Sequence, residues 1–598
     1  MPRFDRRLLF VAAILATWAV VVIVRLAHVQ LVRHDHYVAR AQRQQESTIE
    51  LAPVRGSIVD VRGRTLAESV AAESIYADPQ DVTDRKAVAK VLAAVPGLGV
   101  AAREIESRLN NGRGFAWIAR QLPLDVTAEV RKLKLDGIYF LEEHRRSYPR
   151  TTLAANVIGY VGLDGEGLAG LEHSFDQHVR GTPGKVTVLR DARRGMYLVG
   201  GEGANRPRDG HEVVLTIDAV AQFTAERALA KAVEKYNAKG GSVLVMDPRD
   251  GSILAMASLP TFDPNRYRQF PPAAWRDRNV QDLFEPGSTF KIITAAAGLE
   301  EGLVTPSQII DCGDGAIRIA NVTISEHDNH RYGLMSFEDV IAQSSNVGTV
   351  RVALQLGPRR LHDWARRFGF GERTGIELPG ESQGLLRRLE KWSQVSNASI
   401  AIGQEIGVTP LQIARAVGAV ANGGRRVDPR IIARVVDADG TPILLPPPQE
   451  PVRVMSERTA AILNEILKAT VSKGTGGSAA LAEHVVAGKT GTAQKAGRGG
   501  YMPGRYVGSF VGYVPADKPR LVIFVAIDEP RPQHYGGTVA APVFREVAEA
   551  TLRYLGVPPS LPSRTIGLEG VQLATFSQNR RPAAASGVPD LIGLDARA

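Results

Sequence analysis

The stretch from Leu8 to Val24 carries no charge, and Arg3, Arg6 and Arg7 stand just before it. Such a run is at the short end of what crosses a bilayer as a helix. Leu26 to Val32 extends it amphipathically past Arg25. A cleaved signal peptide has a shorter apolar core and a small-x-small site, and the residues from Val24 to Val32 offer no good one. The segment therefore reads as a retained membrane anchor, with the arginines holding the N-terminus in the cytoplasm. Everything after about residue 36 is then expected on the far side of the membrane.

Composition narrows the classes further. A chain of 598 residues has room for several domains at roughly 150 residues each. Its 44% hydrophobic and 23% charged residues describe globular material, not a repetitive or disordered chain. Cys312 is the one cysteine, which rules out an internal disulfide; sparing use of thiols suits an oxidising space. The net charge of +10 points to anionic neighbours such as phospholipid headgroups or wall polymers. Zinc-finger spacing and the aromatic-basic signature of RNA binders are absent from the sequence, which sets nucleic acid aside.

Texture divides the chain into an anchor over 1–35, a pedestal over 36–212, a larger domain over 213–556 and a tail over 557–598. In the pedestal, Pro53–Asp60 alternates like a strand before a turn at Arg62-Gly63-Arg64. Ala87–Val95 and Val126–Leu133 show helical periodicity, and Gly165–Glu172 reads as a loop running into a helix. The pedestal offers no catalytic constellation. The next domain opens with a strand at Val213–Asp218, a helix from Ala219 to Tyr236 and a hairpin through Asp250-Gly251. It closes with strands at Ser509–Val514 and Leu521–Ile527 and a helix over Ala541–Tyr554. Strands at both ends with helices between them predict an α+β domain around a mostly antiparallel sheet flanked by helices. The tail, rich in proline, serine and alanine, reads as linker.

Three short motifs carry chemistry. Pro286-Gly287 punctuates a loop before an apolar helical run, so Ser288 falls in a first turn with Lys291 on the same face. A serine hydroxyl needs a base to take its proton, and a lysine deprived of water titrates low enough to be one. Ser344-Ser345-Asn346 follows an amphipathic stretch, Ser336–Gln343. Lys489-Thr490-Gly491-Thr492 follows Val485–Gly488, whose β-branched residues and glycine suit a strand approaching a ligand. Each motif alone is weak. Their order and structural contexts together are specific.

At this point the chain resembles the penicillin-binding protein and serine beta-lactamase superfamily, which carries these three motifs in this order. Arg55–Asp60, Gly170-Leu171-Glu172, Leu215–Asp218, Glu285–Lys291, Ser344–Gly348, Gly403-Gln404, Thr409–Gln412 and Tyr535–Phe544 are similar to class B, monofunctional transpeptidases. The resemblance implies that Ser288 attacks a D-Ala-D-Ala bond of a peptidoglycan stem peptide, with Lys291 as general base. Ser344 would pass protons to the leaving amine, and Asn346 would hold substrate and Lys291. Lys489 would supply fixed positive charge, Thr490 and Thr492 would bind the substrate carboxylate, and the N–H groups of Ser288 and Thr492 would form the oxyanion hole. Gly491 completes that motif. Beta-lactams would acylate the same serine, and no metal or other cofactor is implied.

The resemblance also implies a SEDS-type glycosyltransferase and other division proteins as partners, on the cytoplasmic membrane. Ser344–Gly348, the compact pedestal and Gly403–Gln412 look more like the division-specific enzyme than the elongation-specific one. A beta-lactamase would lack the anchor and pedestal, and a bifunctional synthase would show a Glu-Asp-x-x-Phe signature that this sequence lacks. A non-catalytic penicillin sensor is the third alternative, against which the intact motifs speak. Asp311, Cys312, Asp314, His327, Asp328 and His330 are of metal-binding types, but their spacing fits no zinc pattern and the glycines around them predict an exposed loop. Gly497–Gly500 reads as a mobile loop near the site. Val588–Leu594 resembles the opening strand of a PASTA module, cut too short to bury a core.

Overall fold

Helix α1, Arg3–Ala27, continues as a π-helical turn over His28–Val32. Among the described residues it is the one helix long and apolar enough to cross a bilayer, and none of its apolar window is buried. This fits a single-pass membrane protein. The computed structural model describes residues 3–37, 46–51, 53–111, 114–190, 196–198, 207–497 and 499–561. The tail from residue 562, including the Val588–Leu594 stub, lies outside them, as does Arg498 in the Gly497–Gly500 segment.

In the pedestal, the strand expected over Pro53–Asp60 shrinks to Ile58–Val59, β1. Its flanking charges have other work. Arg55 turns into a buried cluster, and the Asp60 carboxylate closes the Arg62-Gly63-Arg64 turn by accepting from the N–H groups of Arg62 and Arg64. The long strand β2, Thr65–Ala77, pairs with Ala116–Leu122 (β3) and Ile138–Ser147 (β4). Helices Arg85–Ala93, Ala102–Asn111 and Leu124–Lys132 pack Leu92, Ile105, Leu109 and Val130 into the small core there.

Strand β1 also lies parallel to Glu212–Leu215, β5, with Ile58 opposite Val213. Strand β5 in turn pairs with Ile432–Val436. One sheet thus runs from the pedestal into the C-terminal half, across residue 212. Ion pairs tighten the same seam. Arg64 reaches Asp60 at 2.6 Å and Asp218 at 2.7 Å. Asp218 caps helix α2, Ala219–Lys235, and accepts from the Tyr554 hydroxyl.

The C-terminal half is built on a five-stranded antiparallel sheet. Its strands are Gly240–Met246 (β6), Ile253–Leu259 (β7), Ala487–Gly497 (β8), Gly500–Val514 (β9) and Leu521–Asp528 (β10). Their order is β7-β6-β10-β9-β8. Period-two alternation assigns the faces. Val522, Phe524 and Ala526 face a core shared with helices α3 (Lys291–Glu300), α4 (Asn346–Leu356) and α5 (Pro410–Ala421). Ile523, Val525 and Ile527 face α2 and α6, Ala541–Tyr554. Covered on both sides, β10 reads as a continuous apolar run. The Gly497–Gly500 segment is the tip of the β8–β9 hairpin, where the two glycines still pair.

The pedestal's strongest anchor is buried. Glu172 has no solvent exposure and receives Arg55 at 2.7 Å and Arg146 at 2.6 Å; Arg55 also pairs with Asp176 at 2.6 Å. Two guanidiniums on one carboxylate make the burial tolerable, and loss of one leaves uncompensated charge. Arg55→Glu puts a third carboxylate into the cluster. It should destabilise the protein by about 3–5 kcal/mol, read as a melting temperature lower by several degrees; an unchanged melting curve would show that the cluster does not hold the pedestal.

Candidate active site

The turn Gly287–Phe290 is a 3-10 turn that leads directly into α3. It leaves Ser288 partly exposed and Lys291, the first residue of α3, with no exposure. Two close backbone contacts set it in place. Gly287 N–H donates to Gly403 O at 3.0 Å, and a Cβ on Gly403 would stand 2.1 Å from Gly287 O. A Cβ on Gly491 would stand 2.4 Å from Ser509 Oγ and 3.0 Å from Pro286 O. Only glycine lets β8 press this closely on the serine turn.

Lys291 Nζ donates to Ser344 O at 2.6 Å, Asn346 Oδ1 at 2.7 Å and Ser344 Oγ at 3.3 Å. Three donors meet three acceptors, all from one turn. Ser344 takes φ +64° there, an uncommon conformation for a non-glycine residue, and this lets its carbonyl and hydroxyl face the same ammonium. Burial pushes the Lys291 pKa down to about 7, against the upward pull of Glu326 and Cys312. Among the described residues none hydrogen-bonds Ser288 Oγ.

Lys489 on β8 is also fully buried, and burial followed by repulsion from Lys291 drives its pKa well down. Its Nζ reaches only Thr490 O, at 3.4 Å, and among the described residues no carboxylate pairs with it. The neighbouring hydroxyls line one side of β8. Thr490 Oγ1 lies 2.6 Å from Thr475 Oγ1, and Thr492 Oγ1 accepts from Gly536 N–H at 3.1 Å. Each hydroxyl keeps capacity for a further bond. Tyr535, beside Gly536, donates its hydroxyl to Asp328.

All eight residues singled out in the sequence therefore fall in one region. Thr475, Tyr535 and Glu326 join them without having been singled out as site residues. Thr475 stands in a glycine-rich loop and Glu326 is a lone acid, so neither offered a sequence signal. The candidate metal types separate. His327, Asp328 and His330 bring ligand atoms within 4.8 Å of one another. Cys312 is not in an exposed loop: it is fully buried, with its Sγ 3.4 Å from Ser345 Oγ.

Comparisons with known proteins agree with this geometry. Residues 241–549 match the family model for the penicillin binding protein transpeptidase domain, and residues 50–215 match that for the penicillin-binding protein dimerisation domain. The chain belongs to the class B penicillin-binding proteins. Stage V sporulation protein D of Bacillus subtilis is 34% identical over 93% of this chain and 86% of its own length. The peptidoglycan D,D-transpeptidase FtsI of Escherichia coli K12 is 32% identical, over 90% of this chain and 89% of its own. Penicillin binding protein 3 of Mycobacterium tuberculosis, solved with aztreonam, superposes with a TM-score of 0.68 at 31% identity, covering 86% of this chain and 99% of that one.

The Lys291 value fixes a pH dependence. With Lys291 as the expected base for Ser288, the amine is protonated below about 7 and cannot accept the serine proton, whereas above it the base is free. The rate of Ser288 acylation by a penicillin should fall about tenfold for each pH unit below that point and level off above it. A rate still climbing past pH 9 would mean a lysine of ordinary pKa, roughly 10.4.

Proposed function

We propose that this chain cross-links peptidoglycan as a D,D-transpeptidase through a Ser288 acyl-enzyme. The observation that carries the reading is a fully buried lysine of lowered pKa beside a serine turn, held by the Ser344–Asn346 turn. Neutral Lys291 takes the proton of Ser288 Oγ, which attacks the carbonyl of the penultimate D-alanine of a stem peptide. The tetrahedral oxyanion is held by the N–H groups of Ser288 and Thr492. The proton travels through Ser344 to the leaving amine, the peptide bond breaks and D-alanine departs. An amine of a neighbouring stem peptide then attacks the ester, forms the cross-link and returns the proton to Ser288.

Lys489, Thr490 and Thr492 receive the terminal carboxylate of the substrate, with Gly491 allowing the approach. That carboxylate supplies the counter-charge that Lys489 otherwise lacks, so substrate and ammonium stabilise each other. A beta-lactam presents the same kind of carbonyl beside an anionic group, in keeping with the aztreonam complex of the mycobacterial relative. Labelling with a fluorescent penicillin tests the nucleophile: the Ser288→Ala protein should take up no label. Labelling equal to wild type would refute the role of Ser288.

The arginines in the first turns of α1 support a cytoplasmic N-terminus with the catalytic half outside the inner membrane. Within that frame we assign 1–35 to the anchor, 36–212 to the pedestal, 213–556 to the transpeptidase and 557–598 to a tail. The pedestal carries no chemistry, and it couples the anchor and partners, including a SEDS-type glycosyltransferase, to the site. Ser344–Gly348 and Gly403–Gln412 support a septal role. A tagged protein should concentrate at the division septum; uniform labelling of the side wall would favour elongation instead.

A further inference from the structure

Glu326 follows the short strand Val322–Ser325 and is 5% exposed, yet no step above uses it. Its carboxylate is saturated by one turn. Oε1 accepts from Ser345 Oγ at 2.5 Å and from Val347 N–H at 3.1 Å, while Oε2 accepts from Asn346 N–H at 2.6 Å. Ser345 Oγ in turn accepts from Gly348 N–H at 3.0 Å. The first three N–H groups of α4, which no helical carbonyl can reach, are thus met by Glu326 and by the serine it orients. A negative charge at this helix N-terminus is favourable in itself.

The same strand end holds Asn346 twice, because Asn346 Nδ2 donates to Ser325 O at 2.7 Å. The backbone N–H of Glu326 is tied to Gly315 O at 2.8 Å, so the carboxylate is not free to follow a shifting turn. We propose that Glu326 is the positioning residue of the active site: it fixes the Ser344–Asn346 turn so that its three acceptors converge on Lys291, and it sets the charge that Lys291 feels. Loss of its carboxylate leaves two buried N–H groups and a hydroxyl unmet, just where Ser344 must keep its left-handed backbone.

Four titratable groups bear on Lys291 electrostatically. Glu326 raises its pKa, the Cys312 thiol would do so only as a thiolate and burial works against that form, Lys489 on β8 shares a mutual repulsion with it, and His327 feels its charge. Glu326 is the anionic member of this set. The proposal rests on Lys291 acting as the base, and the test separates the two: Ser288→Ala and the pH limb of the unaltered protein judge the mechanism, the Glu326 variants judge the positioning.

Rates of acylation by a fluorescent penicillin, measured on the full chain in detergent between about pH 5 and 9, give the answer. Glu326→Gln should acylate roughly ten- to a hundredfold more slowly, the size of one or two lost buried hydrogen bonds. Its acid limb should also move to lower pH, since a neighbouring negative charge that favoured the ammonium is gone. Glu326→Asp keeps the charge, so it should leave the limb in place and recover part of the rate. Should Glu326→Gln not fold, Ser345→Ala removes one of the three donors without altering charge, and it should slow acylation with the limb unmoved. A wild-type rate in Glu326→Gln or Ser345→Ala, or a slowed Glu326→Gln whose limb has not moved, overturns the proposal.

Discussion

An ammonium kept from water inside the protein is the constraint on which this active site depends. Taking Lys291 from its ordinary value of 10.5 to about 7 corresponds to about 5 kcal/mol of disfavoured charge. The folded chain must offset that cost, and it does so partly with three acceptors from one turn. Those acceptors reduce the penalty without abolishing it, because a base is needed and a fully solvated or fully ion-paired lysine would not be one near neutral pH. The chemistry therefore hangs on how exactingly the Ser344–Asn346 turn is held.

That precision comes from packing far larger than the site. The five-stranded sheet is buried on both faces, with α3, α4 and α5 in the core on one side and α2 and α6 on the other. The serine turn is caught between this core and strand β8, which lies at the edge of the sheet. At Gly403 backbone meets backbone too closely for a side chain, and at Gly491 the Ser509 hydroxyl and Thr289 leave no room for one. The pedestal is joined to this body by a shared sheet and by the Asp60–Arg64–Asp218 ion pairs.

Much of this was legible in the residues. Alternation and turn chemistry located the strands of the catalytic sheet, and the Ser288–Lys291 spacing located the helix that buries the lysine. The failures share a cause: side chains whose partners lie far away in sequence. Pro53–Asp60 looked like a long strand, yet Arg55 is drawn to Glu172 and Asp60 to Arg64 and Ala219 N–H, so only Ile58–Val59 pairs. Cys312 looked exposed among glycines but is buried against Ser345. Glu326 sits among loop-like polar residues, and its meaning appears only when α4 is brought against it. Local pattern announces elements; it does not announce which carboxylate will cap which helix.

The central claim is that Lys291 titrates near neutral pH, so that a substantial share of it is the free amine there. Nitrogen NMR of the lysine side chains tests it without relying on any reaction rate. On the ¹⁵N-lysine-labelled protein, the Lys291 signal is assigned by its disappearance in Lys291→Arg. The account predicts that this signal titrates near 7, far below the exposed lysines. A Lys291 signal that stays charged until about 10 with the rest would contradict it.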